Sequence, residues 1–319
     1  MAERSFDLTI LQKDTVADGV VRFTLARKDG GQLLEWQPGA HIDVHFVSNG
    51  QDCVRHYSLC GSPSDRSRWQ IAVLRVKEGR GGSAHIHDAF AEGDTVRVTG
   101  PRNNFPLVPA SPYLFIAGGI GITPMLSMVE AASAAGRDWR LVYCGRSETS
   151  MAFAQHLVSS AGDKVLLHTS DTHGLIDLSA LIAASAPDTV VYCCGPSSMI
   201  DAVRENCSAW SPDRVHFERF TGSEPVAADA NSSFEVEFAR SGLVLTVPPD
   251  RSILAMAEDA GVDIDSSCQE GVCGTCETRV LSGTPDHRDS VLSARERAAG
   301  KTMMVCVSRS CSARLVLDA

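Results

Sequence analysis

Apolar and polar positions alternate in short runs through the first hundred residues, at 6–11, 20–25, 42–46 and 70–76, with turns rich in Gly, Asp and Pro between them. A two-residue period puts alternate side chains on one face, so these runs predict antiparallel strands. Residues 95–99 add a further strand, and 83–90 are the one helical candidate. Short strands at such spacing predict a small β-barrel. From Pro112 the pattern changes to strand, glycine-rich turn, helix. The apolar run 113–117 enters Gly118 and a helical period over 125–135, and strands follow at 140–143, 164–169 and 189–193 with helices between them. That alternation predicts a parallel sheet with helical crossovers. Residues 221–233 are small, polar and aperiodic, the composition of a linker. Beyond them, 234–238 and 243–247 read as a hairpin and 252–261 as a short helix. The expected division is a barrel at 1–106, an α/β domain at 107–222, a linker at 223–233 and a C-terminal domain at 234–319, with no internal repeat.

Composition narrows the class. Of 319 residues, 44% are apolar and 21% charged, ordinary for a globular chain with room for two or three cores. No apolar run approaches membrane-spanning length, and the first ten residues lack a signal-peptide profile, so no membrane partner and a cytoplasmic location are expected. Eleven cysteines, an odd count at irregular spacing, argue for a reducing compartment rather than a disulfide scaffold. Asn231-Ser232-Ser233 matches a glycosylation sequon, which has no meaning without secretion. The net charge of −10 disfavours a nucleic-acid partner. That charge is uneven: −4 over residues 1–222, −2 over 223–233 and −4 over 234–319. More than half the excess thus lies in the last 97 residues, where it either steers toward a basic partner face or simply solvates the surface.

The chemistry begins with four of the cysteines. Cys268-x4-Cys273-x2-Cys276, followed after 29 residues by Cys306, has the spacing of a plant-type [2Fe–2S] loop, in which three thiolates from one tight turn and a fourth from elsewhere hold two irons. Gly271 and Gly274 lie where backbone must approach the inorganic sulfides. Cys306 sits in the strand-like run 303–307, able to deliver its ligand from the core. The alternatives are a zinc site or scattered core thiols, but zinc knuckles usually pair two CxxC motifs and only one occurs here. Cys53, Cys60, Cys144, Cys193, Cys194, Cys207 and Cys311 remain, read mostly as small core hydrophobes.

Three further segments have the residues of cofactor sites. Arg55-His56-Tyr57-Ser58 closes a strand and offers a cation, an aromatic platform and a donor, as a flavin requires; strand ends also carry Arg and Tyr for no such reason. Gly79-Arg80-Gly81-Gly82-Ser83 feeds a helix, and a glycine-rich turn at a helix N-terminus presents free N–H groups and a dipole to phosphate. Ser83 is equally suited to cap that helix. Gly118-Gly119-Ile120-Gly121-Ile122-Thr123-Pro124 follows a buried strand and departs from the G-x-G-x-x-G fingerprint, with Pro124 expected to open the helix. Cys194-Gly195-Pro196 repeats the theme after the strand at 189–193. Two such turns at the carboxyl ends of parallel strands point to a dinucleotide, although a structural turn looks similar.

Arg55-x-Tyr57-Ser58, Gly-Gly-Ile-Gly-Ile-Thr-Pro, Cys-Gly-Pro-Ser and the C-terminal cysteine motif, in this order, resemble the phthalate dioxygenase reductase family of Rieske-oxygenase reductases over essentially the whole chain. The resemblance implies an N-terminal antiparallel flavin-binding β-barrel, a Rossmann-like parallel α/β NAD domain and a C-terminal β-grasp ferredoxin domain. It implies FMN, with FAD the alternative, and NADH. Position by position, Arg55, His56, Tyr57 and Ser58 match the flavin strand, Leu74, Arg75 and Val76 a strand lining the flavin, and Gly81, Gly82 and Ser83 the phosphate turn. Gly118, Gly119, Gly121, Gly195 and Pro196 match the nucleotide turns. Thr123 and Cys194 would meet the nicotinamide as the positioning groups of catalysis, and Phe220 the flavin, its other reading being a core strand residue. Asp171, placed at the end of a strand, would accept from the adenosine ribose and favour NADH, while nearby Arg146 suits the extra phosphate of NADPH. The expected partner is a Rieske non-haem iron oxygenase, and nothing requires more than a monomer. A reductase of a diiron monooxygenase is the second reading, and a non-catalytic redox sensor the third. No role is assigned to Cys311.

Overall fold

The computed structural model describes residues 5–76, 81–220, 222 and 232–319. Gly79, Arg80 and most of the expected linker, 223–231, lie outside the described residues. The chain divides into two compact units, Met1–Glu218 and Arg219–Ala319.

The first unit begins with six strands: β1 (Ser5–Ala17), β2 (Val20–Ala26), β3 (His41–Ser48), β4 (Gln51–Ser58), β5 (Trp69–Leu74) and β6 (Thr95–Arg102), with helix α1 (Gly82–Ala89) between the last two. They form one antiparallel sheet in the order β4-β3-β6-β1-β2-β5. An isolated bridge between Leu59 and Ile71 joins the two edges, so the sheet curls into a barrel. The alternation legible in the sequence is the reason: Leu8, Ile10, Phe23, Leu25, Ile42, Val44, Ile71 and Val73 all point into one core.

A parallel sheet follows, built from β7 (Tyr113–Gly118), β8 (Trp139–Gly145), β9 (Val165–Thr169), β10 (Val190–Cys194) and β11 (Val215–Glu218). Its helices are α2 (Ile122–Ala134), α3 (Ala154–Ala161), the single turn α4 (Ser170–His173), α5 (Leu178–Ala183) and α6 (Ser197–Asn206). The strand order β11-β10-β7-β8-β9 sends the chain to one side of β7 first and to the other later. The crevice between β7 and β10 is therefore the switch point at which such sheets bind ligands. Both faces are covered: Phe115, Tyr143 and Tyr192 point into one core, Ile116, Val142 and Cys193 into the other. Cys193 and Cys194 do face opposite sides, and both are core residues.

Barrel and α/β sheet are joined within this unit. The Tyr192 hydroxyl donates to Pro106 O (2.9 Å) and accepts from Val108 N (2.7 Å), pinning the connecting segment to β10. A small apolar cluster of Val20, Cys60, Ala72 and Ala152 crosses between the two parts.

The second unit carries β12 (Phe234–Phe238), β13 (Leu243–Val247), α7 (Ile253–Asp259), β14 (Glu277–Ser282), β15 (Pro285–Asp286), α8 (Ala294–Ala299), β16 (Thr302–Met304), β17 (Arg309–Ser310) and β18 (Arg314–Leu317). The mixed sheet β13-β12-β18-β14-β16 pairs β12 parallel to β18 and packs α7 on its core through Ile253, Leu254 and Ala257, a β-grasp arrangement. Arg309 is the buried cation of this unit. Its guanidinium lies over the Phe234 ring (5.0 Å) and donates to the carbonyls of Arg251 (2.7 Å), Pro248 (2.9 Å) and Ser232 (3.2 Å).

Four local expectations are corrected. The α1 N-cap is Gly81, not Ser83: the chain arrives with φ 79°, which glycine accepts, and Ser83 Oγ instead accepts from Val76 N (3.0 Å). Pro124 is the third residue of α2 rather than its first, because a 3₁₀ turn over Gly119–Gly121 starts the helix early. Proline is still tolerated there, where first-turn N–H groups have no intrahelical acceptor. Cys306 lies in the turn after β16, not within a strand. Asp171 lies in the single turn α4 just beyond β9.

Candidate functional site

Arg55, His56, Tyr57 and Ser58 close β4, and strand alternation splits them between two faces. Tyr57 packs against the barrel core, and burial pushes its phenol well above the ordinary range, so it stays a neutral platform. Arg55 reaches the start of α1. A Cβ on Gly82 would come within 2.5 Å of Arg55 Nε, so only glycine lets the guanidinium lie against the helix N-terminus. A cation, left-handed Gly81 and free first-turn N–H groups fit a flavin phosphate. Leu74 ends β5, while Arg75 and Val76 lie past it. Arg75 is committed to Asp88 through two contacts of 2.5 and 2.8 Å.

His56 points the other way, into a charge cluster. Its Nδ1 lies 2.5 Å from Asp43 Oδ1, and Arg102 Nη2 donates to both Asp43 oxygens (2.6 and 2.5 Å). Burial raises the Asp43 carboxyl, but hydrogen bonding and charge from His56 and Arg102 outweigh it and leave the group below its usual range. His56 is therefore tied to Asp43 in this cluster, across the β3–β4 pair.

The two nucleotide turns interlock in the crevice between β7 and β10. A Cβ on Gly121 would sit 2.2 Å from Cys194 O, and one on Gly118 2.6 Å from Pro196 Cδ. A Cβ on Gly195 would meet Gly118 Cα at 3.0 Å. These glycines are required for close approach of backbone to backbone, while Gly119 supplies a left-handed turn (φ 54°). Together they form a bare surface of main-chain groups at a helix N-terminus, suited to a pyrophosphate. Thr123 is buried, with its hydroxyl donating to Ile120 O (3.0 Å). Cys194 is fully buried, and burial, helped by Glu218 and Cys193, pushes its thiol far up. It is a neutral packing group, not a nucleophile. Asp171 and Arg146 meet at the carboxyl edge of the sheet, where Asp171 N donates to Arg146 O (3.0 Å), and both side chains are exposed.

One residue of this site escapes sequence reasoning. Glu218 ends β11 in register with Cys194. Its carboxyl accepts from the Ser58 hydroxyl, while Oε2 is enclosed with no partner among the described residues. Burial pushes it up to about 8, and the Ser58 bond only partly offsets this. Glu218 is thus a protonated acid at neutral pH, wedged between the flavin strand and the nucleotide crevice. A lone glutamate at a strand end gives no pattern to find; the register with Cys194 appears only in three dimensions. Phe220 lies two residues beyond β11 and is 39% exposed, so the core-strand reading of it is overturned.

In the second unit the four cysteines of the motif are buried together. Cys268 is hydrogen-bonded to Cys273 and Cys306, and Cys276 to Cys306. Those bonds, with N–H donors from Glu270 and Val272, pull the Cys268 thiol far below its ordinary range. Glu270 N reaches Cys268 Sγ at 3.3 Å. Gly271 (φ 69°) and Gly274 (φ 79°) bend the loop, and a Cβ on Gly271 would strike Val307 at 2.6 Å. Converging sulfurs, backbone N–H donors and side-chain-free bends fit four thiolates around an iron–sulfur centre. The other cysteines follow the core reading at Cys60, Cys144, Cys193, Cys194 and Cys207, whereas Cys53 is half-buried and Cys311 exposed.

Comparison with known proteins agrees with this division of labour. Residues 7–106 match the oxidoreductase FAD-binding domain family, 115–205 the oxidoreductase NAD-binding domain family, and 236–314 the 2Fe-2S iron-sulfur cluster binding domain family. The chain is 42% identical to the phthalate dioxygenase reductase of Burkholderia cepacia over 316 residues, covering 98% of this chain and 96% of the relative. The solved structure of a phthalate dioxygenase reductase, described as a modular structure for electron transfer from pyridine nucleotides to [2Fe–2S], superposes with TM-score 0.72 at 41% identity, over 99% of this chain and 98% of that one. An intact type IV self-sufficient cytochrome P450 monooxygenase superposes with TM-score 0.90 at 42% identity; this chain spans 41% of its length. Flavin, pyridine nucleotide and [2Fe–2S] are the cofactors that these sites and relatives share, and the chain belongs to the phthalate dioxygenase reductase family of NAD(H)-dependent iron–sulfur flavoprotein oxidoreductases.

Proposed function

We propose that this chain is the NADH-dependent reductase component of a Rieske-type oxygenase system, with FMN as its flavin. The observation that carries this reading is the joint presence in one chain of a phosphate turn under Arg55, an interlocked nucleotide crevice and a four-cysteine loop. The bound cofactors supply the redox chemistry, hydride from NADH to flavin and then single electrons through the iron–sulfur centre. The residues of this chain orient and exclude. Gly118, Gly119 and Gly121 seat the pyrophosphate, and Thr123 and Cys194 wall the nicotinamide. FMN is favoured because Arg55 and the α1 N-terminus make a site for one terminal phosphate. NADH is favoured because exposed Asp171 suits a ribose diol and repels an added phosphate. The functional division is 1–106 for flavin, 107–222 for nucleotide and 234–319 for the cluster, in a cytoplasmic monomer. Among the described residues no helix is long and apolar enough to cross a membrane.

The purified chain, loaded with flavin, iron and sulfide, should oxidise NADH much faster than NADPH and reduce an added Rieske oxygenase component. Acid extraction should release FMN. A fully loaded protein that oxidises neither nucleotide, or that passes nothing to any Rieske component while turning over with artificial acceptors, would overturn the assignment.

Glu218 gives a pH test. Its raised carboxyl is neutral below about 8 and ionises above it, placing negative charge where the reduced flavin also accumulates charge. Flavin reduction by NADH should therefore slow as pH rises through this range. Glu218→Gln keeps the bond from Ser58 but cannot ionise. Stopped-flow traces should show its alkaline limb gone, with the plateau lowered about tenfold or more if the acid also donates a proton. An unchanged pH profile in the variant would remove Glu218 from the reaction.

A further inference from the structure

The segment that braces the cysteine loop holds a second buried acid–imidazole pair. Asp289 is fully buried, and its Oδ2 accepts from Val291 N (3.0 Å) and Leu292 N (2.8 Å). Its Oδ1 has no hydrogen-bond partner among the described residues. The nearest imidazole is that of His287, whose Nδ1 lies 3.9 Å from Oδ1, too far for a hydrogen bond. The His287 side chain is 9% exposed, and neither of its ring nitrogens has a hydrogen-bond partner among the described residues. Three buried polar atoms thus face unmet hydrogen bonding in one place, an arrangement that normally marks strain or function.

Its position relates it to the iron–sulfur loop. Ser290 N donates to Gly271 O (2.8 Å), and a Cβ on Gly271, between Cys268 and Cys273, would lie 3.1 Å from Asp289 Cα. On the other side Arg288 N donates to Ser308 Oγ (3.2 Å) in the segment that follows Cys306. The surrounding charges are largely committed. Arg288 pairs with Asp286 (2.6 Å), and Arg309, opposite Asp286 on β17, is spent on three carbonyls. Arg297 of α8 donates to the carbonyls of Asp289 and Leu292, with its Nη2 3.7 Å from Asp289 Oδ2. Among these described residues, His287 is the one that can bring a new positive charge toward Oδ1 by taking a proton.

We propose that His287 is the proton-accepting partner of the cluster loop, taking up one proton when the iron–sulfur centre takes up one electron. The inference rests on the iron–sulfur reading above. Reduction adds one negative charge to a buried, low-dielectric site, which favours a cation nearby. The electron comes from the flavin and the proton from solvent; it binds a ring nitrogen of His287, and the imidazolium closes on Asp289 Oδ1. Charge is thereby conserved at the site, and no other bond breaks. Asp289 holds the cation, and its backbone ties that event to Gly271.

An EPR-monitored redox titration of the loaded full-length protein over about pH 5.5 to 8.5, the range in which imidazoles titrate, reads this directly. The cluster potential should rise as pH falls, approaching the limit of one proton per electron, a tenfold change in equilibrium constant per pH unit, or about 59 mV. His287→Gln should retain the EPR spectrum and lose the slope, and Asp289→Asn should shift the slope to lower pH. A flat potential in the unmodified protein overturns the proposal whether or not either variant folds. An equal slope in His287→Gln overturns it as well. Either result leaves the reductase assignment standing, because NADH-driven reduction of the cluster is scored in the same samples.

Discussion

Replacing Cys276 by alanine should yield a protein that still oxidises NADH with ferricyanide but no longer delivers electrons to cytochrome c. Cys276 is buried and packed into the core of the second unit, and its sulfur is hydrogen-bonded to Cys306, so the side chain cannot be replaced by a neighbour. Three thiolates do not complete a four-cysteine site, and cytochrome c reduction should fall at least about 100-fold. The flavin strand, the phosphate turn and the nucleotide crevice all belong to the other compact unit. Ferricyanide reduction should therefore stay within about twofold of the unmodified protein, since the substituted side chain packs in the core of a separate compact unit. The visible and EPR signature of the centre should vanish in parallel. If cytochrome c reduction survived in a protein shown to lack the centre, electrons would leave from the flavin and the linear relay would be wrong. Exposed Cys311 lies five residues beyond Cys306, but its backbone is tied to Thr284 (2.9 Å), so rescue by Cys311 is not expected.

Much of this arrangement is legible in the chain because its constraints are local. A loop that wraps a cluster must bring three cysteines within nine residues, and a strand buried on one face must alternate. Both leave marks at fixed spacing. What escapes is set by geometry between distant segments. Ser83 has the residue type of an N-cap, yet Gly81 takes that place because the chain enters α1 in a left-handed conformation. Cys306 follows an apolar run, yet only pairing of β16 with β14 shows that the strand ends at Met304 and leaves the ligand in a turn. Glu218 and Cys194 are 24 positions apart and become neighbours through parallel register. Asp43 and His56 likewise meet only across β3 and β4. The Glu218 and His287 environments share a cause, since a buried polar atom is recognised by missing partners, which no residue pattern encodes.

Gly121→Ala should have the second large effect, confined to the first unit. Gly121 has an ordinary helical backbone (φ −62°), so alanine is not excluded by conformation. It is excluded by space. The added methyl would lie 2.2 Å from Cys194 O, 2.5 Å from Cys194 C and 2.8 Å from Gly195 N, all main-chain atoms that cannot rotate away. Relief requires β7 and β10 to part at their carboxyl ends, or α2 to shift. Overpacking of this kind costs about 1–3 kcal/mol, and contact with rigid backbone puts this site at the upper end. The same shift opens the crevice that seats the nucleotide, and a displacement of about 1 Å there can lower the rate of hydride transfer about 100-fold. Gly119→Ala is the matched control. Nothing among the described residues lies within 4 Å of its added Cβ, but its φ of 54° is left-handed, so it should cost only about 1–2 kcal/mol with a modest rate effect. Stopped-flow flavin reduction by NADH and thermal unfolding of both variants separate steric from conformational demand, while dithionite reduction of the centre should stay normal in each. Equal rates in the two variants would mean that the interlocked turns do not set the position of the nicotinamide.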